Sequence, residues 1–200
     1  MFEQKVEAFL NRHSLSLYGK KVMVGVSGGP DSLGLLYFLW RKQELWNLTI
    51  VAAHVDHMFR GEQSYQEALF VKEFCNELSI EYEWTQINVE EYMKSTGKST
   101  QVGARECRYQ FFEEMMEKHQ ADYLVLGHHG DDQIETMLMR MTRGSSGKAR
   151  AGIAFKRPFQ KGEIIRPFLA VSKQEIERYC LEHQLDPRRD PSNDKPYYSR

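Results

Sequence analysis

The sequence predicts a doubly wound α/β fold, a mainly parallel sheet with helices on both faces. Three observations carry that prediction. Over roughly the first 145 residues, short apolar runs alternate with longer segments of helical periodicity, as in successive βαβ units. Several runs turn polar at their carboxyl ends, the edge where open parallel sheets gather ligands. The first run breaks at Ser27-Gly28-Gly29-Pro30 and resumes at once as an apolar helix, a strand–turn–helix junction.

Taken in order, Phe2, Val6, Phe9 and Leu10 recur at helical spacing, so a leading amphipathic helix covers residues 2–13. Val22-Met23-Val24-Gly25-Val26 reads as a buried parallel strand, and Asp31 to Trp40 as the next helix, opened by Pro30, Asp31 and Ser32. Leu48 to His57 is the second strand, with His54, Asp56 and His57 at its carboxyl end. Glu62 to Leu78 places Ala68, Val71, Phe74, Cys75 and Leu78 on one helical face. Glu81 to Val89 is the third strand, followed by a short helix over Glu90–Lys94 and a loop over Ser95–Thr100. Gln101 to His119 is a long helix with Arg105, Arg108 and Tyr109 in its first turns. Asp122 to Gly127 is the fourth strand and delivers His128-His129-Gly130-Asp131-Asp132 to the functional edge, before a Met- and Leu-rich helix over Gln133–Arg143.

After Gly144 the composition changes, dividing the chain into residues 1–145 and a basic loop and helix over 146–200. Gly144-Ser145-Ser146-Gly147 is a flexible turn. From Arg140 to Arg166 Lys148, Arg150, Arg157 and five further basic residues face Glu163 alone. Ser172 to His183 is a helix with Ser172 as N-cap and Glu175 closing a capping box. Asp186 to Asp194 is turn chemistry throughout.

With 41% hydrophobic and 12% aromatic residues the chain can bury a core, which excludes disorder as the default. Lys and Arg total 27 against 28 acids, so any nucleic-acid contact must rest on local clustering. Cys75, Cys107 and Cys180 are odd in number and form no Cys-x-x-Cys, arguing for a reducing compartment and against a zinc or iron–sulfur site. No apolar run approaches transmembrane length and no signal-peptide core opens the chain, so a cytoplasmic location with no membrane contact is expected. Nothing declares an oligomeric state, and a homodimer stays open.

Strand, glycine turn and helix start aim unpaired N–H groups and the positive end of a helix dipole at one spot, which suits a phosphate. No lysine follows the glycines as a Walker A loop requires, and the spacing is not that of a dinucleotide fingerprint. Ser27-Gly28-Gly29-Pro30-Asp31-Ser32 instead resembles the signature of the PP-loop ATP pyrophosphatases, which cleave ATP to AMP and pyrophosphate and activate an oxygen of a second substrate.

The stretch His128 to Thr136 concentrates ionisable groups at a strand end and helix start. Capping accounts for part of it; two adjacent aspartates, two histidines and Glu135 one turn on exceed what capping needs. Alone it divides evenly between capping and Mg²⁺ binding, and its place on the same sheet edge as the phosphate turn favours Mg²⁺.

The hexapeptide, His54-Val55-Asp56-His57-Met58-Phe59-Arg60, Gly103-Ala104-Arg105-Glu106-Cys107-Arg108-Tyr109 and Gly127 to Thr136 together resemble the bacterial tRNA(Ile)-lysidine synthase family. Arg143-Gly144-Ser145, Arg166-Pro167-Phe168-Leu169 and Asp190-Pro191-Ser192-Asn193 continue the likeness in order. The resemblance implies a ligase that activates C2 of the wobble cytidine in the CAU anticodon of tRNA(Ile) with ATP, through an adenylated cytidine, then lets L-lysine displace AMP. It implies ATP on Ser27, Gly28, Gly29, Pro30, Asp31, Ser32, His54, Val55 and Asp56, with Mg²⁺ on Asp31 and Asp132. Asp31, Arg108 and Asp132 would be catalytic, Arg108 meeting charge at the α-phosphorus, and Asp132 and Glu135 would receive the lysine. Lys148, Arg150 and Arg157 become candidates for tRNA contact, and residues 146–200 for a segment completing the catalytic domain. Full-length members of the family continue into further tRNA-binding domains, so a catalytic-domain piece is expected. The alternative is another PP-loop tRNA-modifying enzyme of the cytidine 2-thiolating type, against which the missing Cys-x-x-Cys counts.

Overall fold

The computed structural model describes residues 1–58, 61–142 and 152–188. The elements are α1 (Phe2–Arg12), β1 (Lys21–Gly25), α2 (Pro30–Lys42), β2 (Thr49–Asp56), α3 (Glu62–Glu77), β3 (Glu81–Gln86) and α4 (Val89–Thr96). They continue with α5 (Thr100–His119), β4 (Tyr123–Val125), α6 (Gly130–Thr142), β5 (Lys156–Phe159), β6 (Gly162–Ile165), a 3₁₀ turn (Pro167–Ala170) and α7 (Lys173–Glu182). One six-stranded sheet has the order β3-β2-β1-β4-β6-β5, parallel throughout except for β5, which runs antiparallel to β6. The doubly wound, mainly parallel architecture expected from the sequence is the one observed.

Strand alternation sorts the core onto two faces. Val22, Val24, Ile50, Ala52, Val125 and Ile165 pack with α1, α2, α3 and α7, through Val6, Leu36, Phe38, Val71 and Ile176 among others. Met23, Val51, Ala53, Leu124 and Ile164 point the other way, onto Phe111, Phe112 and Met116 of α5. The chain winds outward from β1 through β2 to β3, then returns to place β4 on the other side of β1. That reversal opens a crevice between the carboxyl ends of β1 and β4, the switch point where such sheets bind ligands.

Several boundaries differ from the sequence reading. β3 stops at Gln86 rather than Val89, because the Asn88 side chain accepts the Glu91 N–H at 3.2 Å and caps α4. α6 starts at Gly130, three residues early, for capping reasons given below. Residues 156–165, read as basic loop, form the β5–β6 hairpin, and β6 pairs in parallel with β4. The flexible turn expected at residues 144–147 lies outside the described residues. Among those described, no helix is long and apolar enough to cross a membrane.

Candidate active site

A cavity of about 420 Å³ occupies the switch point. Gly25, Val26 and Ser27 wall it from the end of β1, and Leu126, Gly127 and His128 from the end of β4. Asp31 and Ser32 enter from α2, His54 to Asp56 from β2 with His57 just beyond it, Arg108 and Phe112 from α5, and Asp132 from α6.

The turn after β1 is held by its own hydroxyls. The Ser27 N–H donates to Ser32 Oγ at 3.0 Å, the two serine hydroxyls lie 3.1 Å apart, and Ser32 Oγ donates to the Gly29 carbonyl at 3.2 Å. Gly28 sits at φ +89°, a conformation an L side chain rarely adopts, and Gly29 is the N-cap of α2. The N–H groups of Gly28 and Gly29 have no partner among the described residues. A tight turn thus presents unused donors beside the positive end of a helix, a site ready for phosphate oxygens.

Across the crevice, α6 begins with a reciprocal cap. The His129 N–H donates to Asp132 Oδ2 at 2.8 Å, and the Asp132 N–H donates to His129 Nδ1 at 3.4 Å. Capping explains this geometry and the early start of α6, and it also fixes Asp132 toward the cavity. His129 Nε2 then lies 3.8 Å from Asp31 Oδ1 and 3.6 Å from Asp132 Oδ2. Asp31 Oδ1 is buried without a hydrogen bond. Burial, aided by the Asp132 charge, pushes the Asp31 carboxyl above its usual range, while His129 pulls it down. The unsatisfied Asp31 oxygen and the Asp132 carboxylate both line the cavity, with His129 between them, and hard oxygen donors of this kind suit a divalent cation. Asp131 is not part of the pair: its Oδ2 accepts the Lys173 N–H at 2.7 Å and ties α6 to α7.

His54, His57 and His128 are held neutral. His54 Nδ1 donates to the Val26 carbonyl at 2.8 Å, leaving Nε2 buried as a bare acceptor, and burial lowers its pKa. His57 is lowered to about 4 by burial, with Arg108 and His54 adding repulsion. His128 also falls to about 4, by burial and then by Arg166. Asp56 shapes the end of β2: its two oxygens accept the Met58 N–H at 2.7 Å and Gln86 Nε2–H at 3.0 Å. Arg108 keeps solvent contact along its side chain, yet its guanidinium is crowded enough for desolvation to lower its pKa. It remains a cation at any ordinary pH.

The structure therefore gathers Ser27, Asp31, Ser32, His54, Val55, Asp56, Arg108 and Asp132 around one space, with Gly28, Gly29 and Pro30 forming the turn behind. Glu135 is exposed one turn along α6, and Arg157 lies on β5; neither lines the cavity. Lys148 and Arg150 lie outside the described residues. Sequence reading missed Ser64 and Glu67, which also line it. Their signal was positional, since α3 starts where β2 ends and its first turns share the ligand edge.

Comparison with known proteins places these features in context. The profile of the PP-loop domain matches residues 1–200. The chain is 57% identical over 196 residues to tRNA(Ile)-lysidine synthase of Geobacillus kaustophilus, 53% over 199 to that of Bacillus cereus and 50% over 197 to that of Bacillus subtilis. These alignments cover 98–100% of this chain but 42% of each relative, so the chain spans less than half their length. Among solved structures, a U34-tRNA thiolase from Methanococcus maripaludis superposes with a TM-score of 0.74 at 21% identity, covering 99% of this chain and 66% of that one. NMN synthetase from Francisella tularensis does so at 0.57 and 15%, covering 98% and 74%. At those identities the likeness is one of fold. With its glycine turn at the switch point and the family profile covering every residue, the chain belongs to the PP-loop domain family.

Proposed function

We propose that this chain is the catalytic part of a tRNA(Ile)-lysidine synthase, a ligase joining L-lysine to C2 of the wobble cytidine in the CAU anticodon at the expense of ATP. The observation that carries the proposal is the pairing, across one cavity, of an open phosphate turn with the Asp31–Asp132 carboxylates, in a chain 57% identical to a protein of that name. The turn over Ser27–Ser32 holds the phosphates of ATP, with His54, Val55 and Asp56 near the adenosine. Asp31 and Asp132 would hold Mg²⁺, which would supply positive charge to offset that of the phosphates.

Cytidine O2 attacks the α-phosphorus; the O2–P bond forms, the bond to the β-phosphate oxygen breaks, and pyrophosphate leaves. Arg108 faces the negative charge that grows at phosphorus and needs no proton bookkeeping to do so. The ε-amine of lysine, held by Asp132 and Glu135, then attacks C2, the C2–O2 bond breaks and AMP departs. The lysine ammonium loses its proton before attack, against the pull of the adjacent carboxylates. A tRNA substrate agrees with the expected cytoplasmic location, with Lys148, Arg150 and Arg157 contacting tRNA, and with residues 146–200 completing the catalytic domain begun by 1–145. Cys75, Cys107 and Cys180 are all buried and none lines the cavity, which disfavours the thiolating alternative.

The test is lysine-dependent AMP formation from ATP with unmodified tRNA(Ile), measured on the whole protein. Activity should require both lysine and the tRNA, and Asp132→Asn should abolish it. That variant keeps an oxygen for the His129 N–H and removes only the charge, so a folded, ATP-binding but inactive protein is the expected result. ATP turnover indifferent to lysine would overturn the assignment.

A further inference from the structure

Beside the cavity, four guanidiniums converge on one phenol. The Cζ atoms of Arg105, Arg157 and Arg108 lie 4.7, 5.5 and 6.0 Å from the centre of the Tyr109 ring. Arg166 joins them electrostatically and is only 4% exposed; its Nη1 donates to the Ala154 carbonyl at 2.6 Å, while its Nε is buried with no hydrogen bond. Three separate parts of the chain supply the group: α5, β5 and the residue following β6. Their summed charge pulls the Tyr109 hydroxyl below its ordinary pKa despite burial.

Among the described residues no acid answers this charge: none of the four arginines has a carboxylate within 4.0 Å, although cations elsewhere find partners, such as Arg41 with Glu3 at 2.8 Å. Glu163, the one acid between Arg140 and Arg166, is taken by Lys156 at 2.7 Å rather than by neighbouring Arg157. Crowded like charges are unfavourable, and cation–π contact with a single ring offsets only part of the repulsion. Such a cluster is complete when an anion from outside joins it.

We infer that Arg105, Arg157 and Arg166, organised on Tyr109, form a subsite for a phosphodiester of the RNA strand, next to the reacting nucleotide and separate from the turn that holds ATP. The inference rests on the proposed RNA substrate. Arg108 lines the cavity, and Arg105, one turn back on α5, is exposed and does not. The cluster therefore adjoins the cavity at Arg108 and reaches the exposed face of α5 at Arg105, where the strand carrying the reacting nucleotide would pass.

The experiment measures binding of an RNA hairpin with a CAU loop to the whole protein at several salt concentrations, in Arg105→Ala, Arg157→Ala and Arg166→Lys. Binding of an ATP analogue serves as the folding control for each. Each alanine variant should bind the RNA roughly tenfold more weakly, and the slope of log affinity against log salt should flatten by about 0.7 per lost phosphate contact. Arg166→Lys keeps the charge but loses the planar fork, and should weaken affinity with little change in slope. RNA affinity and slope equal to the parent would overturn the subsite. So would loss of inorganic pyrophosphate binding with RNA binding intact, because the anion would then be the leaving group. Lysine-dependent AMP formation is scored separately: its absence from the parent removes the lysidine assignment, while the RNA-binding comparison still decides the subsite.

Discussion

Gly127 passes the first turn of α2 so closely that a Cβ there would lie 2.9 Å from the Asp31 carbonyl oxygen and 3.2 Å from the Ser32 nitrogen. Both contacts are with backbone, which cannot rotate away, so Gly127→Ala must push the end of β4 from the phosphate turn. We expect a loss of about 1–3 kcal/mol in urea unfolding together with weaker ATP binding; a variant matching the parent in both would refute the account. At this scale the sequence was partly legible. Ser27 to Ser32 could be read because a turn's chemistry is local. The Asp31–His129–Asp132 contact could not, since it depends on two segments far apart in the chain meeting at a distance set by Gly127. Arg166 was visible as a motif residue, but its burial against Tyr109 was not.

α6 carries Asp132 and Glu135 and is anchored mainly through polar contacts. The Gly130 N–H donates to the Val171 carbonyl at 2.8 Å, the Gln133 side chain bonds Ile153, and Arg140 Nη1 donates to the Gly152 carbonyl at 2.9 Å. Its apolar residues Ile134, Leu138 and Met141 are exposed. The helix is thus held at its N-terminal end, where the site is, by Val171 and the start of α7, and farther along by the backbone of Gly152 and Ile153. The capping box of α7 was legible in the sequence and is present: Ser172 Oγ accepts the Glu175 N–H at 3.2 Å, and Glu175 Oε2 accepts the Ser172 N–H at 2.9 Å. Ser172→Ala should lower stability by about 1 kcal/mol, read from the thermal or urea midpoint; no change would mean that water replaces the cap. The β5–β6 hairpin escaped sequence reading for the opposite reason. Lys156, Arg157 and Lys161 obscure any alternation, and only pairing with β4 makes Ile164 and Ile165 core residues.

The sheet as a whole keeps three imidazoles uncharged at the ligand edge, which links its stability to pH. His57 and His128 have folded values of about 4, against an ordinary value of 6.5 once unfolded. Between those values the unfolded chain binds more protons, so stability is complete above pH 6.5 and declines as pH falls toward 4, by at most about 3 kcal/mol for each imidazole. Urea midpoints measured across that window should fall with acidification, and less steeply in His57→Gln; a flat profile would show that these rings titrate normally. Strand order was implied in part by the alternation of elements, because parallel crossovers leave few choices. The edge hairpin was not.

The walls of the cavity, at Val26 and at Leu126, stand about a hundred residues apart in the chain, so bringing them together closes a long loop at an entropic penalty that grows slowly with its length. A nucleotide seated between them acts as a reversible clasp on that loop, and any opening that separates β4 from β1 must first release it. Occupancy by a metabolite thereby becomes resistance to proteolysis.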